Sequence, residues 1–167
     1  PGGRETLPAP PLAVDHCSHR LLHRYPRLHQ RALAIALIRR GRRRIAVAVS
    51  HLDLQARARY AHAAQLLAFL GMQPAPAVLA VDVNERPDGP AWQMLATHLV
   101  DAGAHGPEGG EPPFPSWRPR SRIDTIFVDR RLTVRAAGIP AAPARRDLVA
   151  ASDHLPVLAE IALPGEE

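Results

Sequence analysis

The sequence predicts a mixed α/β domain built in layers. Short apolar runs of strand length recur along the chain, and one segment between them has the three- and four-residue spacing of an amphipathic helix. Neighbouring runs pair locally while helices separate the others, which is the pattern of packed sheets and helices around one core.

The elements follow in order. Residues 1–13 are rich in Pro and Gly and read as a ragged or disordered end. Asp15, His16, Cys17, His19 and His23 cluster next. His19 and His23 have the spacing of one helix face, but zinc sites need better-defined paired ligands, and a single cysteine argues against a structural zinc. Ala32 to Ile38 is a strand-length apolar run. In Ile45 to Ser50, Ile45, Val47 and Val49 face one way, expected as the buried side, and Ala46 and Ala48 face the other. The run Arg39-Arg40-Gly41-Arg42-Arg43-Arg44 between them is expected to be a solvated hairpin turn.

Residues 55–70 read as a helix with Ala63, Leu66, Leu67 and Leu70 inward and Gly71 as its stop. Val78 to Val81 is a short buried strand ending at Asp82. Pro90 suits the first turn of a second helix, Ala91 to Val100, closed near Gly103. Residues 104–121 read as a surface loop, Arg122 to Val128 as a strand, and Pro156 to Leu163 as the last strand. Trp92, Phe69 and Phe127 are expected in the core, whereas Trp117, in the long loop, is the better candidate for substrate contact. Residues 14–164 are expected to form one domain, with 165–167 as a tail.

Composition narrows the function classes. The 167 residues are 46% hydrophobic, enough for one proper core and too apolar for a disordered chain. All 21 basic residues are arginine, and the formal charge of +5 favours anionic partners such as phosphate esters, nucleic acid or a membrane surface without choosing among them. One cysteine, Cys17, excludes a disulfide framework. No stretch is long and apolar enough to span a membrane. There is no phosphate-cradling Gly-rich loop and no hydrolase-elbow serine. Compartment is not legible.

The informative feature is where the polar groups fall. Four apolar strands each carry an acid or histidine at one end: His51 after Ile45–Ser50, Asp82 after Val78–Val81, Asp124 near the start of Arg122–Val128, and Asp153 with His154 just before Pro156. Asp82 and Asn84, two apart on extended chain, reach the same side. If these ends meet, the site holds carboxylates and an amide suited to a hard cation such as magnesium, and imidazoles suited to proton transfer near neutral pH. Each residue alone is more often a turn, a cap or a satisfied surface group; the joint pattern carries the weight.

In order along the chain, Ser50-His51-Leu52, Val81-Asp82-Val83-Asn84, Phe114-Pro115-Ser116, Arg122-Ile123-Asp124-Thr125-Ile126-Phe127 and Ser152-Asp153-His154-Leu155-Pro156-Val157 resemble the signatures of the endonuclease/exonuclease/phosphatase, or DNase I-like, superfamily. The resemblance spans about Leu21 to Leu163 and is to the C-terminal portion of a bacterial member. It implies a four-layer α/β/β/α sandwich, incomplete at its N-terminus, with the site where strand ends of two sheets meet. It implies a metal-dependent phosphoesterase, nuclease or phosphatase, using Mg2+ or Mn2+ on a phosphate-ester substrate, nucleic acid included, and acting as a monomer.

The same resemblance implies the roles. His154 is the general base that activates water, or a group stabilising the phosphorane, and Asp124 orients it. Asp82 aligns the nucleophile or handles the leaving-group proton. Asn84 donates to a phosphate oxygen, and His51 is a second imidazole there. Asp153 and Asp82 are metal ligands. Two departures stand out. Val81 replaces a glycine and could crowd the site, and the family's upstream metal-binding glutamate has no counterpart, Glu5 being the only glutamate before residue 85. Truncation upstream of Pro1 is the expected reason. The alternative reading is a non-catalytic or truncated basic domain of the same fold that binds anionic partners.

Overall fold

A computed structural model describes residues 11–105 and 110–163. A six-stranded sheet dominates it. β1 (Leu12–Leu21), β2 (Ala32–Arg40) and β3 (Arg43–His51) form an antiparallel meander, and α1 (Ala56–Gly71) crosses over to β4 (Ala77–Asp82), which lies parallel to β3. α2 (Pro90–His98) leads to the short β5 (Val100–Asp101). β6 (Asp124–Val128) then inserts antiparallel between β4 and β5, giving the order β1-β2-β3-β4-β6-β5. β7 (Thr133–Gly138) and β8 (Leu158–Ala162) form a second, two-stranded antiparallel sheet, linked through α3 (Arg145–Ala151).

The two faces of the large sheet differ. One carries Leu33, Ile35, Ala46, Ala48, Leu79, Val81 and Phe127, which pack with Ala63, Leu66 and Leu70 of α1 and Ala91, Trp92 and Leu95 of α2 into the main core. The other carries Val78 and Val128, which with Leu132, Val134 and Ile161 join it to the β7–β8 sheet. Among the described residues no helix is long and apolar enough to cross a membrane.

Several expectations change. Residues 1–10, with Glu5, and 164–167 lie outside the described residues, but Leu12 and Ala13, expected in the ragged end, already belong to β1. β1 also takes up Asp15, His16, Cys17 and His19, so these share no helix face. It is an edge strand with a bulge between Val14 and His16, and Asp15 accepts from Arg39 Nε at 2.9 Å with Arg44 Nε at 3.3 Å. In β3 the buried side is Ala46, Ala48 and Ser50, while Val49 is 55% exposed. Small side chains there let α1 approach the sheet closely, and the larger residues take the less covered face.

The arginine run is a hairpin as expected, but its arginines are mostly strand residues. Gly41, at φ 61°, occupies the first position of the two-residue turn, where a positive φ matches the strand twist. α2 ends at His98 rather than Val100, because Leu99 is extended and Val100 pairs with Val128. Residues 110–121 are no free loop: Pro115 and Ser116 are buried and Phe114 bridges Ser121.

Leu79 lies fully buried in the central β4. Leu79→Ala is expected to lower unfolding free energy by about 2–5 kcal/mol in urea denaturation, and Val49→Thr by less than about 0.5 kcal/mol.

Candidate active site

The sheet register builds the site. His51 is the partner of Asp82 across the parallel pair, and Asp82 is the partner of Asp124 across the antiparallel pair. Three neighbouring strands therefore end in one row of polar residues. By alternation the row points to the face away from the helices, in phase with Val49, Ala80 and Ile126. A cleft of about 310 Å³ opens there, lined by Val49, Ala80, Asp82, Asp124, Ile126 and Leu155 among others.

His154 reaches this row from the segment before β8. Its Nδ1 lies 2.8 Å from Asp124 Oδ2. With that nitrogen donating, Nε2 keeps its lone pair for an incoming proton. Ser116 fixes the segment, donating its N–H to the Asp153 carbonyl at 2.7 Å and its hydroxyl to the Ser152 carbonyl at 2.7 Å. The Phe114 ring lies 4.6 Å from the His154 ring, centroid to centroid. Asp153 itself is exposed. The donor atoms that converge within 4.8 Å of one another are those of Asp82, Asp124 and His154.

Asn84 sits on the turn after β4 with φ 55°, a left-handed conformation that Asn tolerates better than most residues. Its N–H donates to Asp82 Oδ1 at 2.8 Å, closing a local turn. Its side-chain Nδ2 donates to the Leu52 carbonyl at 3.0 Å and lies 2.8 Å from His51 Nε2. His51 Nε2 also lies 3.2 Å from Asp82 Oδ2, so this ring nitrogen faces both the amide and a carboxylate. Burial pushes the His51 pKa below its ordinary 6.5; Asp82 pulls it up, and the nearby Arg31 and His154 push it further down.

Asp124 is held above the usual carboxylate range, first by burial and then by the nearby charges of Asp82 and Asp153, while the His154 hydrogen bond opposes this. Two carboxylates whose oxygens converge, with the neighbour making Asp124 costlier to ionise, fit a divalent cation.

Val81 does not crowd the site. Its side chain is 4% exposed and belongs to the core beneath the helices, on the opposite face from Asp82. Thr125 donates to Asp101 Oδ1 at 2.6 Å; Asp101 also takes two bonds from Arg122, whose guanidinium lies 4.7 Å over the Trp92 ring.

The sequence reading missed the supports behind the site. Glu85 follows Asn84 and turns inward. Its Oε2 accepts from the N–H groups of Ala91 and Trp92 at 2.7 and 3.1 Å, capping α2, and its Oε1 pairs with Arg59 at 3.0 Å. Arg59 in turn donates to the carbonyls of Asp53 and Leu54 at 3.2 and 2.9 Å. Gly89 makes room, since a Cβ there would lie 2.1 Å from Glu85 Cγ. A glutamate five residues before the Pro90 helix start was the visible signal, but its partner on α1 lies 26 residues away.

Fold and site together define the class: the chain carries the endonuclease/exonuclease/phosphatase fold. It resembles an endonuclease/exonuclease/phosphatase from Bacteroides vulgatus (TM-score 0.78, 22% identity, covering 91% of this chain and 66% of that one). A mannosyl-6-phosphatase from Bacteroides thetaiotaomicron is similar at TM-score 0.74 and 17% identity, over 90% of this chain and 67% of that one. The human Nocturnin catalytic domain with bound sulfate is similar at TM-score 0.69 and 20% identity, over 91% and 60%. The chain thus spans 60–67% of the length of these three structures. No protein-family model matches the sequence, and no curated protein does.

Glu85→Ala leaves the buried Arg59 charge without its carboxylate and α2 without its cap, and is expected to cost about 3–5 kcal/mol in urea denaturation. The depressed His51 pKa also sets a sign. Below pH 6.5 the unfolded chain protonates His51 while the folded one resists, so stability present above that pH is lost as pH falls through the folded pKa. His51→Gln is expected to shrink the drop in melting temperature between pH 7.5 and 5.5.

Proposed function

We propose that this chain is the catalytic part of a divalent-metal-dependent phosphoesterase, hydrolysing phosphodiester or phosphomonoester bonds by in-line attack of water activated by the His154–Asp124 pair. The observation that carries it is the 2.8 Å contact of His154 Nδ1 with Asp124 Oδ2 at the end of the His51–Asp82–Asp124 row.

In this reading His154 Nε2 takes a proton from water as the water oxygen bonds to phosphorus, and the Asp124 carboxylate supports the imidazolium that forms. The bond from phosphorus to the leaving oxygen breaks, and Asp82 handles the proton that this oxygen takes up. Both amide hydrogens of Asn84 are engaged, one with Leu52 O and one toward His51 Nε2. A phosphate oxygen accepting from Asn84 therefore takes the place of His51 Nε2, which puts His51 beside the phosphate. Asp82 and Asp124, with Asp153 alongside, would hold the cation, magnesium or manganese. Bound there, it supplies charge neutralisation of the phosphoryl oxygens.

Three things support this reading over a non-catalytic basic domain. The polar groups converge instead of scattering, and buried polar groups without a use cost stability. Val81 leaves the site open. Structures of the same fold include one named as a phosphatase and one holding a sulfate anion.

Hydrolysis of bis(p-nitrophenyl) phosphate with magnesium or manganese tests it. His154→Ala and Asp124→Asn are each expected to lower kcat by about 10²–10⁴-fold, and a chelator to abolish turnover until metal is returned. Unchanged turnover in His154→Ala would sink the catalytic assignment.

A further inference from the structure

The β1–β2–β3 meander overhangs the rest of the large sheet. Pairing of β3 with β4 begins at Ala46 and Ala77, so Arg43, Arg44 and Ile45 lie beyond the start of β4. With Ile38–Arg40 of β2 and Leu12–Val14 of β1 they form a three-stranded tip. Three residues of strand project about 10 Å.

The tip is basic on both faces and apolar on one. Residues 39–44 hold five arginines and no acid. Residues opposed across a ladder share a face, so Val14, Ile38 and Ile45 line up in one row. Leu12, Arg40 and Arg43 form the next row on that face, nearer the turn. Leu12 is 70% exposed and Val14 62%. Arg39 and Arg44 oppose each other on the other face, and both lie against Asp15. Arg42, in the turn, is exposed. Aliphatic side chains held in water beside arginines on a projecting edge suit the boundary of a bilayer. There guanidiniums meet lipid phosphates, and short apolar groups enter the interface shallowly.

Two observations set the orientation and the partner. β3 runs from Arg43 to His51, so the tip and the polar row lie at opposite ends of one strand, about 26 Å apart. Residues 12–14 and 38–45 contain no aromatic side chain. A nucleic acid would find counter-charge on the tip but no platform for its bases, and it would leave Leu12 and Val14 in water.

We propose that the overhanging tip docks this protein on an anionic lipid bilayer. The arginines of residues 39–44 sit at the headgroup phosphates, Leu12 and Val14 lie at the boundary with the acyl chains, and the candidate active site is held on the water side. Docking needs no turnover, so it stands or falls apart from the phosphoesterase reading.

Flotation of the whole chain with phosphatidylcholine vesicles, plain or carrying about 30% phosphatidylglycerol, tests this at about 0.1 M salt. The protein is expected on the anionic vesicles and in solution beside the plain ones. Arg42→Gln alone lowers the partition coefficient about fivefold, and Arg42→Gln with Arg44→Gln about ten- to thirtyfold. Leu12→Ser with Val14→Thr lowers it about three- to tenfold. Arg57→Gln with Arg146→Gln removes the same charge from exposed helix positions away from the tip, and changes it by less than about threefold. Melting temperature identifies the variants that fold, and Arg42→Gln, confined to the turn, carries the test if the strand variants do not. Equal partition on the two vesicle types, unchanged binding in a folded tip variant, or an equal loss in the Arg57 and Arg146 variant overturns the proposal. So does release from anionic vesicles by duplex DNA at equal phosphate concentration, which would make the tip a nucleic-acid contact.

Discussion

The register between β3, β4 and β6 is the constraint on which the rest depends. His51 opposes Asp82 and Asp82 opposes Asp124, so three strands end on one polar row. A slip of one residue in either pairing would turn that row toward the helices and bury charges in the main core. The hydrophobic pattern forbids this. Leu79, Val81 and Phe127 have to face α1 and α2, and Asp82 and Asp124 then have to face the other way. The core thus sets the geometry of the site through alternation alone.

The row is held from behind by polar groups that do no chemistry themselves. Arg59 and Glu85 tie the starts of both helices to the turn bearing Asn84. Ser116 ties the Ser152–His154 segment to the 110–121 turn. Each makes several hydrogen bonds to the backbone or to an opposite charge and so adds rigidity, although the buried Arg59 Nε has no partner among the described residues. The electrostatics agree with an anion-handling site: burial and the nearby Arg31 make His51 harder to protonate, and Asp124 is made costly to ionise.

Much of this was legible in the sequence. The β2–β3 hairpin and α1 were readable from apolar runs about a glycine turn and from a helical period, and β4 and β6 as short, mostly buried apolar runs. β1 was not, since it is exposed along most of its length and carries no alternation to detect. The face assignment of β3 was reversed for a related reason. Valine looks like the inward residue, but close packing against α1 selected alanine. β5, β7 and α3 are short elements amid Pro and Gly, shaped by pairing partners distant in the chain.

The sequence by itself determined which chemistry is carried. Carboxylates, an amide and imidazoles fall at strand ends, and local periodicity is enough to place them there. Only the tertiary structure decided which of them meet. It brought Asp82, Asp124 and His154 together, left the Asp153 side chain exposed, put Val81 in the core, and supplied Glu85 and Arg59 as supports. The reason is physical. Alternation and helical period are properties of a few neighbouring residues, whereas the Arg59–Glu85 bond spans 26 residues and the His154–Asp124 bond spans 30, distances that only strand pairing and core packing close.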